Sequence, residues 1–403
     1  MSRAGSLWNE LRALPAARPV LAALAGDRTV HVVGGAVRDL LLGRAPAELD
    51  LVVEGEALPV AERAAERLGG AVVAHDRFGT ATVRADGGVR FDVASARRER
   101  YPAPGALPEV ELGVPLTEDL ARRDFTANAI AVRLADGAVT DHPGALADVA
   151  ARRLRVLHAA SFADDPTRLL RLARYGARLG FSVEPATAEL AEQAVREGAV
   201  DTVSGPRLGA ELRLLCDEPQ PAAVAALAQR GLGAAVLGEG FAVDAALVER
   251  ALDLRPPDVD AGLPALAAAC LDVDGVAERL EMLGWRAEER DAVAAAASRA
   301  RAVAAALDGA ETGSALRAAL RHERPLTVAL AGALGAHPDR ARRWLGEARH
   351  VRPAIGGDDL VAAGVAGPAV GRGLDAALDA LLDGRAPDRE AQLAAALEAA
   401  RGT

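Results

Sequence analysis

The 403-residue sequence predicts a small α/β head followed by a long all-helical body. Up to about residue 100, short β-branched runs alternate with glycine turns and brief helical stretches. After about Leu154 almost every segment has Ala- and Leu-rich helical character. Aromatic residues are only 3% of a chain that is 51% hydrophobic, so Ala and Leu fill the interior, and Ala loses no side-chain entropy in a helix.

Taken in order, residues 1–27 predict a short amphipathic helix around Leu7–Leu14 and a Pro-punctuated lead-in. Val30–Val33 reads as a strand, Gly34-Gly35 as a tight turn and Ala36–Leu42 as one or two helical turns. Leu49–Val53 is a second strand and Pro59–Leu68 a helix, and Ala71–Ala74, Thr80–Arg84 and Val89–Ala94 complete the small α/β unit. Prolines 102, 104, 108 and 115 predict a loop over residues 101–117. Asp164–Leu179, Pro185–Val195 and Gly205–Leu215 are the clearest helices of the remainder.

The net charge is −10, unfavourable for a polyanionic partner, but it is unevenly spread. Residues 239–299 hold 6 Arg against 13 acids, whereas residues 118–178 hold 10 Arg against 8. All 47 basic residues are arginine, a planar fork suited to phosphate, although codon bias is the simpler source of that composition. Cys216 and Cys270 sit in apolar contexts and are expected to be buried thiols rather than a disulfide or zinc site. With no long uncharged apolar run, the expectation is a cytoplasmic protein with no membrane partner.

Two local patterns point to chemistry. In His31-Val-Val-Gly-Gly-Ala-Val-Arg-Asp39 a strand feeds a glycine turn that opens a helix. Gly34 and Gly35 let backbone N–H groups approach a phosphate, and Arg38 lies one turn into the helix. Glu48 and Asp50, two apart at the start of the next strand, face one side and repel each other unless a cation lies between them. Asp92 is a third acid in an apolar strand, and three such carboxylates can hold two Mg²⁺ ions for in-line transfer of a nucleotide. Taken singly, Glu48 is as well read as a loop end and Asp92 as a solvated edge residue. Asp165, Arg168, Arg171 and Arg174 recur every three residues along one side of the predicted helix, a pattern that also suits a solvated face with an internal salt bridge.

These segments together resemble the class II tRNA nucleotidyltransferases and bacterial poly(A) polymerases of the polymerase-beta-like superfamily. Gly34-Gly-Ala-Val-Arg-Asp39 with Glu48-Leu-Asp50 resembles the first family motif, and Asp92 to Tyr101 the third-carboxylate strand with its basic follow-on. Glu118 to Ala129, Asp164 to Arg174, Ser204 to Leu212 and Ile355 to Gly364 resemble four further segments, in the same order. The resemblance implies a nucleotidyltransferase head with a small mixed sheet and helices (28–150) after the lead-in (1–27). An all-α neck (151–215), body (216–340) and tail (341–403) would follow. It implies that Glu48, Asp50 and Asp92 are catalytic and bind Mg²⁺. Gly34, Gly35, Arg38 and Arg123 would contact the triphosphate. Asp165 and Arg168 would read the Watson–Crick edge of CTP or ATP, with Arg171 and Arg174 supporting phosphate or fold.

The implied activity is a CTP(ATP):tRNA nucleotidyltransferase that adds or repairs the CCA end of the tRNA 3′ terminus. Relatives that add only CC, only A or a poly(A) tail share these motifs. The alternative of another class is a catalytically impaired RNA-binding protein, because the family usually has Asp where this chain has Glu48. The extra methylene moves the carboxylate by about 1–1.5 Å, and Mg²⁺ tolerates such displacements poorly. Of the seven histidines only His75 is followed by Asp, just past a strand of the small α/β unit, so the His-Asp phosphohydrolase module of some relatives is not expected.

Overall fold

The computed structural model describes residues 3–46, 48–75 and 79–401, in two compact units that divide after Ser204. The first unit begins with two helices, α1 (Arg3–Ala13) and α2 (Ala17–Ala23). There follow β1 (Val30–Val33), α3 (Gly35–Leu41), β2 (Asp50–Val53), α4 (Ala57–Leu68), β3 (Ala71–His75), β4 (Thr80–Ala85) and β5 (Val89–Ser95). Next come β6 (Arg97–Arg100), β7 (Glu109–Leu112), α5 (Leu116–Ala121), β8 (Ile130–Arg133), β9 (Val139–Asp141) and α6 (Ala145–Ala150). The unit closes with β10 (Arg153–Leu154), α7 (Ser161–Asp164), α8 (Thr167–Leu179), β11 (Ser182–Val183) and α9 (Pro185–Arg196).

The main sheet is mixed, in the order β3-β4-β5-β2-β1-β8-β9, with β2 and β5 parallel and the other neighbours antiparallel. Its central strands β1 and β8 carry Val-Ile-Ala runs that are buried almost throughout, as expected where both faces of a sheet are covered. Val33, Val52, Ala96, Leu116, Leu120 and Ala131 form a continuous core under that sheet. Helix α4 buries Val60, Ala61, Ala64 and Ala65 along one stripe and ends at Gly69, whose φ of 65° takes the left-handed conformation that terminates helices.

Three sequence expectations are corrected. Residues 101–117 are not all loop: Glu109–Leu112 pairs with Arg97–Arg100 in a hairpin arm, and α5 starts at Leu116. The alternation of Glu109-Val-Glu-Leu112 was hidden by the surrounding prolines. Strands β8 and β9 are added to the five expected strands, within the expected 28–150, and are joined by a turn that contains Asp136-Gly137, a hairpin signal. The helix expected over Asp164–Leu179 is broken between α7 and α8, with Asp165 extended (φ −136°, ψ 92°). Pro166 accounts for the break, since a residue before proline is excluded from the helical region by the ring Cδ.

The second unit, residues 205–401 as described, is all helix. Helix Pro325–Leu334 is buried from Leu326 to Ala333, so it is a central rod rather than an amphipathic surface helix. Small residues let backbones touch, which suits a core poor in aromatics: Gly209 on helix Gly205–Cys216 faces the Leu283 carbonyl, and Gly313 faces that of Leu382. Cys216 and Cys270 are both buried free thiols. Among the described residues no helix is long and apolar enough to cross a membrane.

The packing at Gly209 inverts an ordinary helix preference. Ala is favoured over Gly in a helix interior by about 1 kcal/mol, yet a Cβ here would lie 1.8 Å from the Leu283 carbonyl oxygen. Gly209→Ala is therefore expected to destabilise the protein by about 2 kcal/mol or more in urea denaturation. An unchanged or higher midpoint would contradict this packing.

Candidate active site

The head carries a cavity of about 380 Å³ lined by Gly34, Gly35, Asp50, Arg97, Glu99, Tyr101, Arg122, Arg123, Asp124, Asn128, Asp165, Arg168, Arg171 and Tyr175. That volume lies within the range of small-ligand sites. Seven of the expected site residues meet in it: Gly34, Gly35, Asp50, Arg123, Asp165, Arg168 and Arg171. Arg38, Arg174, Glu48 and Asp92 are not among its lining residues.

Gly34 stands at φ 68°, and a Cβ there would lie 2.9 Å from Arg123 Nη1, so the turn requires glycine twice over. Arg123 reaches this turn from the α5 side, donating from Nη1 to the Asn128 carbonyl (3.4 Å) and from Nη2 to Asp119 (2.9 Å). Its Nε is buried without a hydrogen-bond partner among the described residues. Arg38, expected beside phosphate, is instead 2% exposed. Its guanidinium donates to Asp39 Oδ1 and to Asn128 Oδ1, so it fixes the turn from behind.

Asp50 and Asp92 are direct partners across the parallel β2–β5 ladder. Burial, then the charges of Asp92 and Glu48, push the Asp50 carboxyl above its ordinary range against the opposing pull of Arg123. Two carboxylates in mutual repulsion are a donor set that a divalent cation relieves. Mg²⁺ in nucleotide sites commonly takes one or two protein carboxylates and completes its shell with phosphate and water, so Asp50 and Asp92 fit such an ion. Asp92 accepts a 2.6 Å hydrogen bond from the Thr82 hydroxyl, which fixes one of its oxygens; it is a half-buried residue of an inner strand, not an edge residue.

Glu48 is placed differently from the expectation. Strand β2 begins at Asp50, and Glu48 lies at an exposed bend before it, so strand alternation does not align the two carboxylates. Among the described residues no three His, Cys, Asp or Glu side chains gather closely enough to hold a metal ion. Glu48 and Asp92 instead border a neighbouring hollow with Pro15, Leu49 and Phe91.

On the other wall, Asp124 is 7% exposed and accepts from Arg171 Nε (2.9 Å) and Nη2 (2.6 Å), Asn128 Nδ2 (2.9 Å) and the Phe125 N–H (2.7 Å). Tyr175 packs edge-on to Phe125 and lies under the guanidiniums of Arg38, Arg171 and Arg174, 5.0 to 5.7 Å from its ring centre. Arg174 is thus a buried support. Asp119, fully buried, accepts from Arg122 as well as Arg123, and Glu99 accepts from Arg97, Arg122 and Tyr101. Glu99, Tyr101, Asp124, Asn128 and Tyr175 had no role in the sequence reading. The first four lie inside the recognised segments and Tyr175 one residue beyond, with no pattern separating lining from supporting residues.

Burial works to raise the Asp124 carboxyl, but Arg171, Asn128 and the Phe125 amide outweigh it and hold the pKa down at about 2. A depressed carboxyl stabilises the fold fully above its unfolded pKa near 4 and loses that contribution as pH falls through its folded value. Asp124→Asn should therefore cost about 2 kcal/mol in urea unfolding at pH 7, with the gap to the parent closing between about pH 4 and pH 2. A gap that does not depend on pH would contradict this assignment.

Residues 30–155 match the poly A polymerase head domain. An A-adding tRNA nucleotidyltransferase of Geobacter sulfurreducens is 45% identical over 207 residues, which is 51% of this chain but only 23% of that protein. A CC-adding tRNA nucleotidyltransferase of Deinococcus radiodurans is 40% identical over 259 residues, 64% of this chain and 68% of that one. The structure of the Thermotoga maritima CCA-adding enzyme complexed with tRNA superimposes with a TM-score of 0.79 at 28% identity over 98% of both chains. A relative matched over two-thirds of its length and a fold shared from end to end leave one family assignment: the chain belongs to the class II CCA-adding tRNA nucleotidyltransferases and related poly(A) polymerases, and it is a nucleotidyltransferase.

Proposed function

We propose that the protein transfers CMP and AMP from CTP and ATP to the 3′ end of tRNA, building or repairing CCA with release of pyrophosphate. The observation that carries this reading is that one cavity joins the glycine turn, Arg123 and Asp50 to Asp165, Arg168 and Arg171. The first group suits a triphosphate and the second the edge of a base. Arg123, lining the cavity beside the glycine turn, brings its guanidinium charge to phosphate. Asp165 accepts from the exocyclic amine that C and A carry and that U and G lack at that position, and Arg168 donates to the adjacent ring nitrogen or carbonyl. Asp50 and Asp92 would hold Mg²⁺, with Glu48 adding its charge nearby. When bound, that ion lowers the pKa of the attacking hydroxyl and steadies the pyrophosphate. Arginines elsewhere would hold the tRNA acceptor arm by shape and backbone.

A second reading, favoured by the A-adding and CC-adding relatives, is that the chain performs one part of the sequence of additions. Purified protein with Mg²⁺ and tRNA transcripts ending before CCA, after C and after CC separates the two. The proposal expects CTP and ATP together to complete CCA on each transcript and stop, with Asp50→Ala abolishing every addition. Extension by C alone, or by A alone on the CC-ended transcript, would establish the partial activity. Long A tails on any RNA would overturn both readings.

A further inference from the structure

Arg168 is only 4% exposed, and two of its donors are committed to protein. Nη1 donates to the Ser161 hydroxyl at 2.6 Å, and Nη2 to the backbone carbonyl of Arg122 at 2.9 Å. Ser161 is fully buried on the short helix α7. The Arg122 carbonyl belongs to a residue whose own side chain is tied to Asp119 and Glu99. The guanidinium is therefore held from two separate elements, which fixes its plane as well as its place. Five donors in a rigid fork read a base edge only if that plane is set.

Asp165 has a matching support. Its Oδ1 accepts from the Thr167 hydroxyl at 2.7 Å and from the Thr167 N–H at 3.2 Å, an arrangement made possible by the break at Pro166. A continuous helix would leave no such cap at this position. Each residue assigned to the base edge thus rests on one buried hydroxyl, Ser161 for Arg168 and Thr167 for Asp165.

We propose that Ser161 and Thr167 are positioning residues that set nucleotide selectivity by orienting Arg168 and Asp165. Neither is among the residues that line the cavity. The inference rests on the reading of Asp165 and Arg168 as the base-reading pair. Loss of a hydroxyl frees the side chain it holds, so discrimination falls while the phosphate-binding side keeps its grip.

The test is single-nucleotide addition to a CC-lacking tRNA transcript, comparing kcat/KM for CTP with that for UTP, a ratio independent of the active fraction of the preparation. Ser161→Ala and Thr167→Val should each lower the CTP preference about tenfold, the size expected for one hydrogen bond to a charged group. Ser161→Cys, which keeps a weaker acceptor on a somewhat larger side chain, should fall between parent and Ser161→Ala. Adding Ser161→Ala to Arg168→Ala should lower the preference no further. If Arg168→Ala lowers the preference but Ser161→Ala and Thr167→Val leave it at the parent value, the positioning role is wrong. An equal further loss from Ser161→Ala in the Arg168→Ala background would also overturn it. If Arg168→Ala itself leaves the preference unchanged, the base-reading assignment fails first.

Discussion

Asp124 is the carboxylate on which the site's arrangement depends. It takes two hydrogen bonds from Arg171 on α8, one from Asn128 and one from the Phe125 amide, and Asn128 in turn accepts from Arg38 behind the glycine turn. A single buried anion thereby ties the helix that carries Arg168 to the turn that carries Gly34 and Gly35. Burying a charge is costly unless it is fully paired, and Asp124 escapes that cost only while all its donors stay in place. Helix α8 and the turn are consequently fixed relative to each other within this unit. Tyr175 reinforces the link by stacking beneath arginines from both elements.

The same economy explains how a chain of net charge −10 presents arginine to an anionic ligand. Asp119 lies behind the cavity while Glu99 and Asp124 line it, and each accepts from guanidinium donors and so sets the direction of the remaining N–H groups. Arginine allows this because its fork can give one edge to protein and another to a ligand, which a lysine ammonium does less directionally.

Much of the head was legible because its strands are short apolar runs bounded by glycine, a pattern that periodicity detects. Strand β8 was not, since Ile130–Arg133 follows a dense functional segment that drew attention to its polar residues. The Asp165-Pro166 break was written in the sequence, but the regular spacing of Asp165, Arg168, Arg171 and Arg174 suggested one continuous helix. Gly34 and Asp50 could be singled out because their chemistry is local, whereas Arg123 was singled out only by the family resemblance. Arg38 and Arg174 could not be separated from ligand-facing arginines, because which way a guanidinium turns is decided by partners such as Asn128 and Tyr175 that are distant in sequence or shared among several side chains.

The central claim is that one cavity binds the phosphates through Arg123 and the base through Arg168. The most direct measurement is calorimetric titration of the protein with CTP and with inorganic tripolyphosphate, in the parent, Arg123→Ala and Arg168→Ala. The account predicts that Arg123→Ala weakens both ligands alike, whereas Arg168→Ala weakens CTP and leaves tripolyphosphate unchanged. Equal weakening of both ligands by Arg168→Ala, or undiminished tripolyphosphate binding in Arg123→Ala, would contradict it.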